Sequence, residues 1–190
     1  MNSIKILATG MYLPKNEIDN KYFNDKFNLE EDWIYKRTGI KKRYWTETEK
    51  TSELAIKAVE DLQKNNNVDF SKVGLIIVAS TNYEDSMPSI SFEIQKKFDI
   101  KNCMCMDILA GCSGYINSMD IARKYIALGE VEEALVIGAE KLSKYIDKED
   151  INTAILLGDG AGATLIRKAE NRRYAQNIES IGQEGDILTS

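Results

Sequence analysis

Short apolar runs and longer amphipathic stretches alternate along the chain. Apolar residues at every second position from Ile4 to Ala8 predict a half-buried strand that ends at Gly10. Two uninterrupted apolar runs, 73–79 and 134–139, are typical of strands buried on both faces. Further strands are predicted at 103–108, 154–157 and 161–166, the last two around a glycine-rich bend.

Four segments have the apolar spacing of helices, namely 30–36, 51–62, 89–98 and 115–128. Thr51 or Ser52 is the predicted cap of the second helix, with Glu53 in its first turn. Most residues of the fourth segment are apolar, which predicts a helix enclosed by other elements and ended by Gly129. Strands and helices in alternation predict an α/β fold, with a mainly parallel sheet covered by helices.

Composition and charge narrow the functional classes. The 190 residues carry 25 Lys and Arg against 30 Asp and Glu, a net charge of −5, so we expect no nucleic-acid partner. Three cysteines do not form a paired disulfide framework, and the chain start lacks the apolar core of a signal peptide. Because no apolar run could span a bilayer, we expect a cytoplasmic protein without a membrane partner.

The absence of histidine is the most informative count. It excludes, within these 190 residues, catalysis by a Ser-His-Asp or Cys-His pair, and it removes the commonest metal ligand. We therefore expect no metal site. Cys103 and Cys105 are two thiols without a second pair, and on a strand both would point to one face, so we interpret them as core residues.

Cys112 is the candidate nucleophile. It lies between Gly111 and Gly114, where a predicted strand leads into the helix at 115–128. The positive end of a helix dipole favours a thiolate over a thiol at such a position. On these grounds alone, a reactive thiol and a small buried one are about equally supported.

The segment DILAGCSGY at 107–115 resembles the active-site segment of beta-ketoacyl-acyl-carrier-protein synthase III, a thiolase-fold condensing enzyme. Supporting motifs occur in the same order at 10–14, 32–34, 37–40, 88–89 and 158–163. The resemblance covers nearly the whole chain but only about the N-terminal half of such an enzyme. It implies a thiolase-like layered fold with a five-stranded, mainly parallel sheet and helices on both faces.

By this resemblance, Cys112 takes an acyl group from acyl-coenzyme A. The acyl-cysteine then condenses with malonyl-acyl-carrier-protein with loss of carbon dioxide, which initiates fatty acid synthesis. No other cofactor is implied, since coenzyme A enters as the thioester substrate. The family draws a His and an Asn for the condensation from its C-terminal half, so we expect the 190-residue chain alone to be inactive in condensation.

Trp33 and Arg37 match the coenzyme A entrance of the family, where Trp stacks on adenine and Arg meets the nucleotide. Two positions depart from the well-studied bacterial enzymes. Ile151 stands where those enzymes place an arginine on the other face of adenine, and Leu29 stands where they place a threonine. These changes leave the identity of the acyl donor open.

Met87 and Leu142 match residues of the acyl pocket, and Met87 matches one that reaches across the homodimer interface of the family. A flexible methionine would admit a longer primer than a rigid ring would.

The glycine-rich segment 158–162 lacks the pattern of a phosphate-binding loop, so we interpret it as close backbone packing. The charged runs 41–43 and 47–50 are interpreted as solvated faces.

We therefore predict an N-terminal half-domain at 1–170 that carries the nucleophile. Residues 171–190 are predicted to form a strand or linker toward a C-terminal half. Two alternatives remain open. One is a chain-starting condensing enzyme of a polyketide or specialised-lipid pathway, and the other is a non-catalytic, truncated dimerisation module.

Overall fold

The computed structural model describes residues 3–85, 87–170 and 174–179. Strands and helices follow one another in this order: β1 (Ser3–Tyr12), β2 (Asn16–Asp19), α1 (Asn20–Phe27), α2 (Trp33–Thr38), β3 (Lys42–Trp45), α3 (Thr51–Asn66), β4 (Val73–Ala79), α4 (Ile90–Lys97), β5 (Met104–Ile108), α5 (Gly114–Leu128), β6 (Glu133–Lys141), α6 (Ile151–Ala154) and β7 (Asp159–Ala169). Short 3-10 turns lie at Phe70–Lys72, Gly111–Ser113 and Leu142–Tyr145.

Five strands form the main sheet in the order β1-β7-β6-β4-β5. β4 pairs in parallel with both β5 and β6, whereas β7 pairs antiparallel with β6 and with β1. Four of the five strands therefore run in one direction, and only β7 runs in the opposite direction. The predicted five-stranded, mainly parallel sheet is confirmed.

Helices cover both faces of this sheet, as predicted. On β4, Ile76 and Val78 point to the face covered by α3 and α4, while Leu75 and Ile77 point to the face covered by α5. All four side chains are fully buried. The uninterrupted apolar run at 73–79 follows directly from this two-sided burial, since a strand with one solvated face would have alternating apolar and polar residues.

β1 continues beyond Gly10, where the sequence predicted its end. A Cβ atom at position 10 would lie 2.3 Å from the backbone nitrogen of Leu62, because α3 packs directly onto this strand. Glycine is therefore required for the close approach and not for a turn. The predicted cap at Thr51 or Ser52 is wrong, because both residues lie inside α3. The helix begins at Thr51, and its N-cap is Lys50, whose N–H donates to the Glu53 carboxylate (2.7 Å).

α5 runs over the predicted segment and ends at Gly129, which has the left-handed conformation expected of a helix terminator. Ala122 and Ile126 are buried against the sheet. The prediction of an enclosed helix is wrong for this chain, because Ile116 is 60% and Leu128 75% exposed on the other side. None of the helices that the structure describes combines the length and apolar character needed to cross a bilayer.

A smaller layer, not predicted as such, contains the β2–β3 hairpin, α1, α2 and α6. Its core consists of Phe23, Ile34, Trp45, Ala154 and Ile155. The strand predicted at 154–157 is wrong. The Asp150 carboxylate accepts the Asn152 N–H (3.0 Å), which starts a helical turn before the apolar run begins.

The interpretation of the charged run 41–43 as a solvated face is wrong at Arg43. It is 4% exposed and donates to the backbone oxygens of Ile18 (3.2 Å) and Ile155 (2.8 Å) and to Asn20 Oδ1 (3.0 Å). Burial lowers its pKa. This side chain joins the hairpin to the end of α6.

The predicted boundary at residue 170 stays a prediction. Residues 174–179 of the predicted C-terminal segment form neither helix nor strand. Residues 171–173 and 180–190 lie outside the described residues.

Candidate functional site

Cys112 is exposed in the short turn between β5 and α5. Gly111 before it has a φ of +53°, which lets the chain reverse sharply at the end of the strand. Gly114 then begins α5 close to β4, and a Cβ there would lie 3.2 Å from the Cβ of Ala79. The structure thus places the thiol at the head of α5, as the sequence predicted.

A pocket of about 380 Å³ opens beside Cys112. It is lined by Leu13, Ala79, 111–112, Tyr115, 138–140 and 160–162. These residues lie at one edge of the sheet, where parallel strands end and β7 begins. Most of the lining is apolar or is glycine backbone, which suits an acyl chain more than a charged ligand.

The glycine-rich segment contributes to this pocket in addition to packing. Gly158 lies against Arg43 and Tyr44, which fits the predicted packing role. Gly160 and Gly162 line the pocket itself, and a Cβ at Gly160 would lie 3.1 Å from the Leu13 side chain. The same glycines therefore pack closely and keep space open beside the thiol.

Two contacts hold the head of α5 and the neighbouring helix in place. The hydroxyls of Tyr115 and Thr164 are hydrogen-bonded at 2.6 Å, which ties α5 to β7. The Asp107 carboxylate accepts the N–H groups of Ile90 (2.8 Å) and Ser91 (3.0 Å) and so caps α4. Sequence reasoning did not assign these roles, since both depend on partners far along the chain.

Glu140 is a carboxylate in this mostly apolar lining that sequence reasoning also missed. It is half-buried, and its two oxygens accept the Thr81 N–H (2.9 Å) and the Thr81 hydroxyl (2.9 Å). Burial raises the pKa of Glu140 against the opposing effect of these hydrogen bonds.

Trp33 and Arg37 lie on α2, and each is in contact with the other. The Arg37 guanidinium lies 4.1 Å from the centre of the Trp33 ring and donates to the Trp33 carbonyl oxygen (3.2 Å). Leu29 and Ile151 pack with Trp33 against the core of the smaller layer. The structure brings all four predicted entrance residues to this layer.

Met87 and Leu142 do not line the pocket beside Cys112. Met87 is 85% exposed ahead of α4, and Leu142 is half-buried in the turn after β6. Their predicted pocket roles stay predictions.

Cys103 and Cys105 lie on one face at β5, with their sulfur atoms 3.8 Å apart. Both are half-buried against the cluster under α3 and α4, which agrees with the predicted core role. Burial and the neighbouring Cys103 raise the pKa of Cys105 to about 12. Among the described residues, no group of three or more metal-ligating side chains is found.

Comparison with known proteins gives a consistent result. The family model for 3-oxoacyl-[acyl-carrier-protein] synthase III matches residues 106–182, which include Cys112. A beta-ketoacyl-[acyl-carrier-protein] synthase III of Clostridium acetobutylicum is 40% identical over 189 residues, which is 99% of this chain and 58% of that protein. The chain thus spans little more than half the length of this relative.

Solved structures share the fold. A synthase III from Thermus thermophilus has a TM-score of 0.81 and 38% identity, and the match covers 87% of this chain and 52% of that one. The priming beta-ketosynthase of the R1128 polyketide biosynthetic pathway has a TM-score of 0.81 and 27% identity, covering 88% of this chain and 50% of that one.

Proposed function

Because this chain is 40% identical over 99% of its length to a beta-ketoacyl-[acyl-carrier-protein] synthase III, of which it spans 58%, we propose that it belongs to a condensing enzyme that initiates fatty acid synthesis. The observation that carries the proposal is the exposed Cys112 at the head of α5, beside a mostly apolar pocket. An acyl donor there would be coenzyme A-bound, and the acyl acceptor would be malonyl-acyl-carrier-protein.

The first step is acyl transfer to Cys112. The thiolate sulfur attacks the thioester carbonyl carbon, the carbonyl oxygen becomes an oxyanion, and collapse expels the coenzyme A thiolate, which takes up a proton. The positive end of the α5 dipole would stabilise this developing negative charge, because Cys112 lies at the head of that helix. The acyl chain then occupies the pocket between Leu13 and Tyr115.

The second step is condensation. Decarboxylation of the malonyl group produces an enolate, whose carbon attacks the acyl-cysteine carbonyl and releases the thiolate of Cys112. The enolate oxygen needs hydrogen-bond donors, which the family takes from a His and an Asn. Since the 190 residues contain no histidine, we propose that this chain alone carries out acyl transfer but not condensation.

Trp33 and Arg37 are the proposed coenzyme A entrance. The aromatic ring offers a stacking surface for adenine, and the guanidinium offers a donor pair for phosphate. Since Arg37 already lies over the ring, nucleotide binding would require this side chain to move. The apolar Leu29 and Ile151 would add packing but no hydrogen bonds.

We further propose a cytoplasmic homodimer. β5 is the last strand of the sheet, so one of its edges has no strand partner among the described residues. The exposed Met87 side chain lies ahead of α4, which contacts β5.

A priming enzyme of a polyketide pathway is the second candidate, favoured by the shared fold with the R1128 ketosynthase.

Intact mass spectrometry after incubation with acetyl-, butyryl- and isobutyryl-coenzyme A tests the proposal. We expect one acyl group per chain, located on Cys112 by peptide mapping. Cys112→Ala should abolish the adduct, whereas Cys103→Ala, which removes a half-buried thiol, should retain it. No adduct on the wild-type chain, or an adduct that persists in Cys112→Ala, would contradict the proposal.

A further inference from the structure

The segment 80–85, which follows β4, is held near both ends by hydrogen bonds of carboxylates. At its start, Glu140 accepts two hydrogen bonds from Thr81, each 2.9 Å long. Toward its end, Glu84 accepts two hydrogen bonds of the same length from the N–H and hydroxyl of Thr51. The two carboxylates therefore make matched contacts, but only Glu140 lines the pocket beside Cys112.

The start of the segment is also bound to β6 and β5 by backbone groups. The Lys141 N–H donates to Asn82 Oδ1 (2.9 Å), and the Ser80 N–H donates to the Ile108 oxygen (3.3 Å). Asn82 is 2% exposed, so this part of the segment is packed and not loose. The segment crosses the carboxyl ends of β4 and β6, which form the pocket edge.

We infer that Glu140 is a positioning residue of this pocket: Thr81 holds its side chain in place on the wall, and the side chain thereby sets the width of the opening in front of Cys112. The inference deepens the proposed function and rests on it, since it treats the pocket as the acyl site. Thr81 donates one hydrogen bond to each carboxylate oxygen, which fixes the orientation of the Glu140 side chain beside the pocket. Loss of the side chain would remove part of the wall, and loss of the hydrogen bonds would let the side chain move.

The test compares the access of a small and a bulky reagent to Cys112, and it needs no acyl donor. Rates of alkylation at Cys112 are determined by peptide mapping for iodoacetamide and for the bulkier N-benzylmaleimide, and their ratio is compared between variants. Glu140→Ala should raise the relative rate of the bulky reagent about fivefold, the factor equivalent to one neutral hydrogen bond of about 1 kcal/mol. Glu140→Gln keeps an acceptor for the N–H and a donor for the hydroxyl, so its ratio should stay within about twofold of wild type.

Two further variants keep the test decisive. Thr81→Val removes the hydroxyl and keeps the N–H, so its ratio of alkylation rates should lie between those of Glu140→Gln and Glu140→Ala. If Glu140→Ala does not fold, Thr81→Val takes its place in the test. Glu84→Ala loses the matched contacts away from the pocket and should lower the thermal midpoint without changing the ratio.

An unchanged ratio in Glu140→Ala and Thr81→Val would overturn the inference, as would an equal change in Glu84→Ala or in Glu140→Gln. Failure of wild-type acylation would instead contradict the proposed function, and the alkylation ratios would still report on Glu140.

Discussion

Gly10→Ala tests whether the contact between α3 and β1 is as close as the structure requires. The new Cβ would lie 2.3 Å from Leu62 N and 2.4 Å from Ala58 O, both backbone atoms of α3. Carbon contacts are comfortable only near about 3.5 Å, so α3 would have to retreat by about 1 Å. Its buried side chains would then separate from the sheet.

The expected loss of stability follows from two opposing effects. Overpacking typically costs about 1–3 kcal/mol, and the upper end applies because the obstacle is backbone. Replacing glycine in a strand recovers about 0.5–1 kcal/mol. The free energy of unfolding should therefore fall by about 2 kcal/mol, which lowers the thermal midpoint by about 4–8 °C in a domain of this size.

Urea unfolding followed by far-ultraviolet circular dichroism measures this difference. Gly162→Ala is the matched control, because it lies on the neighbouring strand and its Cβ would come no closer than 4.0 Å to the Gly10 oxygen. Since it gains the same backbone contribution without a clash, its free energy of unfolding should rise by about 0.5–1 kcal/mol. Equal stability of Gly10→Ala and wild type would refute the packing argument.

Two further predictions concern buried charges. Arg43→Met leaves the oxygens of Ile18 and Ile155 without their donor and should lower the free energy of unfolding by about 3 kcal/mol in urea titration, whereas Lys41→Met, at an exposed position, should change it by less than about 0.5 kcal/mol. Burial opposes ionisation of Asp120, but hydrogen bonds from Lys124 and Arg123 bring its pKa below the ordinary value. Its ionised form therefore stabilises the fold at pH values above the unfolded pKa. In urea titrations, the excess in free energy of unfolding of wild type over Asp120→Asn should shrink as the pH falls below about 4. An excess that grows toward acid would show that the sign is wrong.

The sequence predicted those elements whose burial can be recognised from a short stretch of residues. The runs at 73–79 and 134–139 are strands because both of their faces are covered, and an uninterrupted apolar run can be recognised without knowing what covers it. The location of Cys112 in a turn before a helix was also predictable, since its flanking glycines mark a sharp turn.

Prediction failed where a distant partner decides the structure. Arg43 stands in a run of three basic residues, and its burial depends on Ile155, 112 positions away. Glu140 and Thr81 are 59 positions apart, and neither is distinctive in sequence. At 154–157 a local signal was missed, because the capping carboxylate of Asp150 starts a helical turn ahead of the apolar run.

The location of the pocket follows from strand direction. β1, β4 and β6 run the same way, so Leu13, Ala79 and Glu140 come to one edge of the sheet at their carboxyl ends. β7 runs the opposite way, and therefore its first residues, including Gly160, reach the same edge. The turn after β5 adds Cys112 there. Since each strand contributes at most a few residues, most of the described lining beside the thiol is glycine backbone or an apolar side chain, and Glu140 is the carboxylate among them.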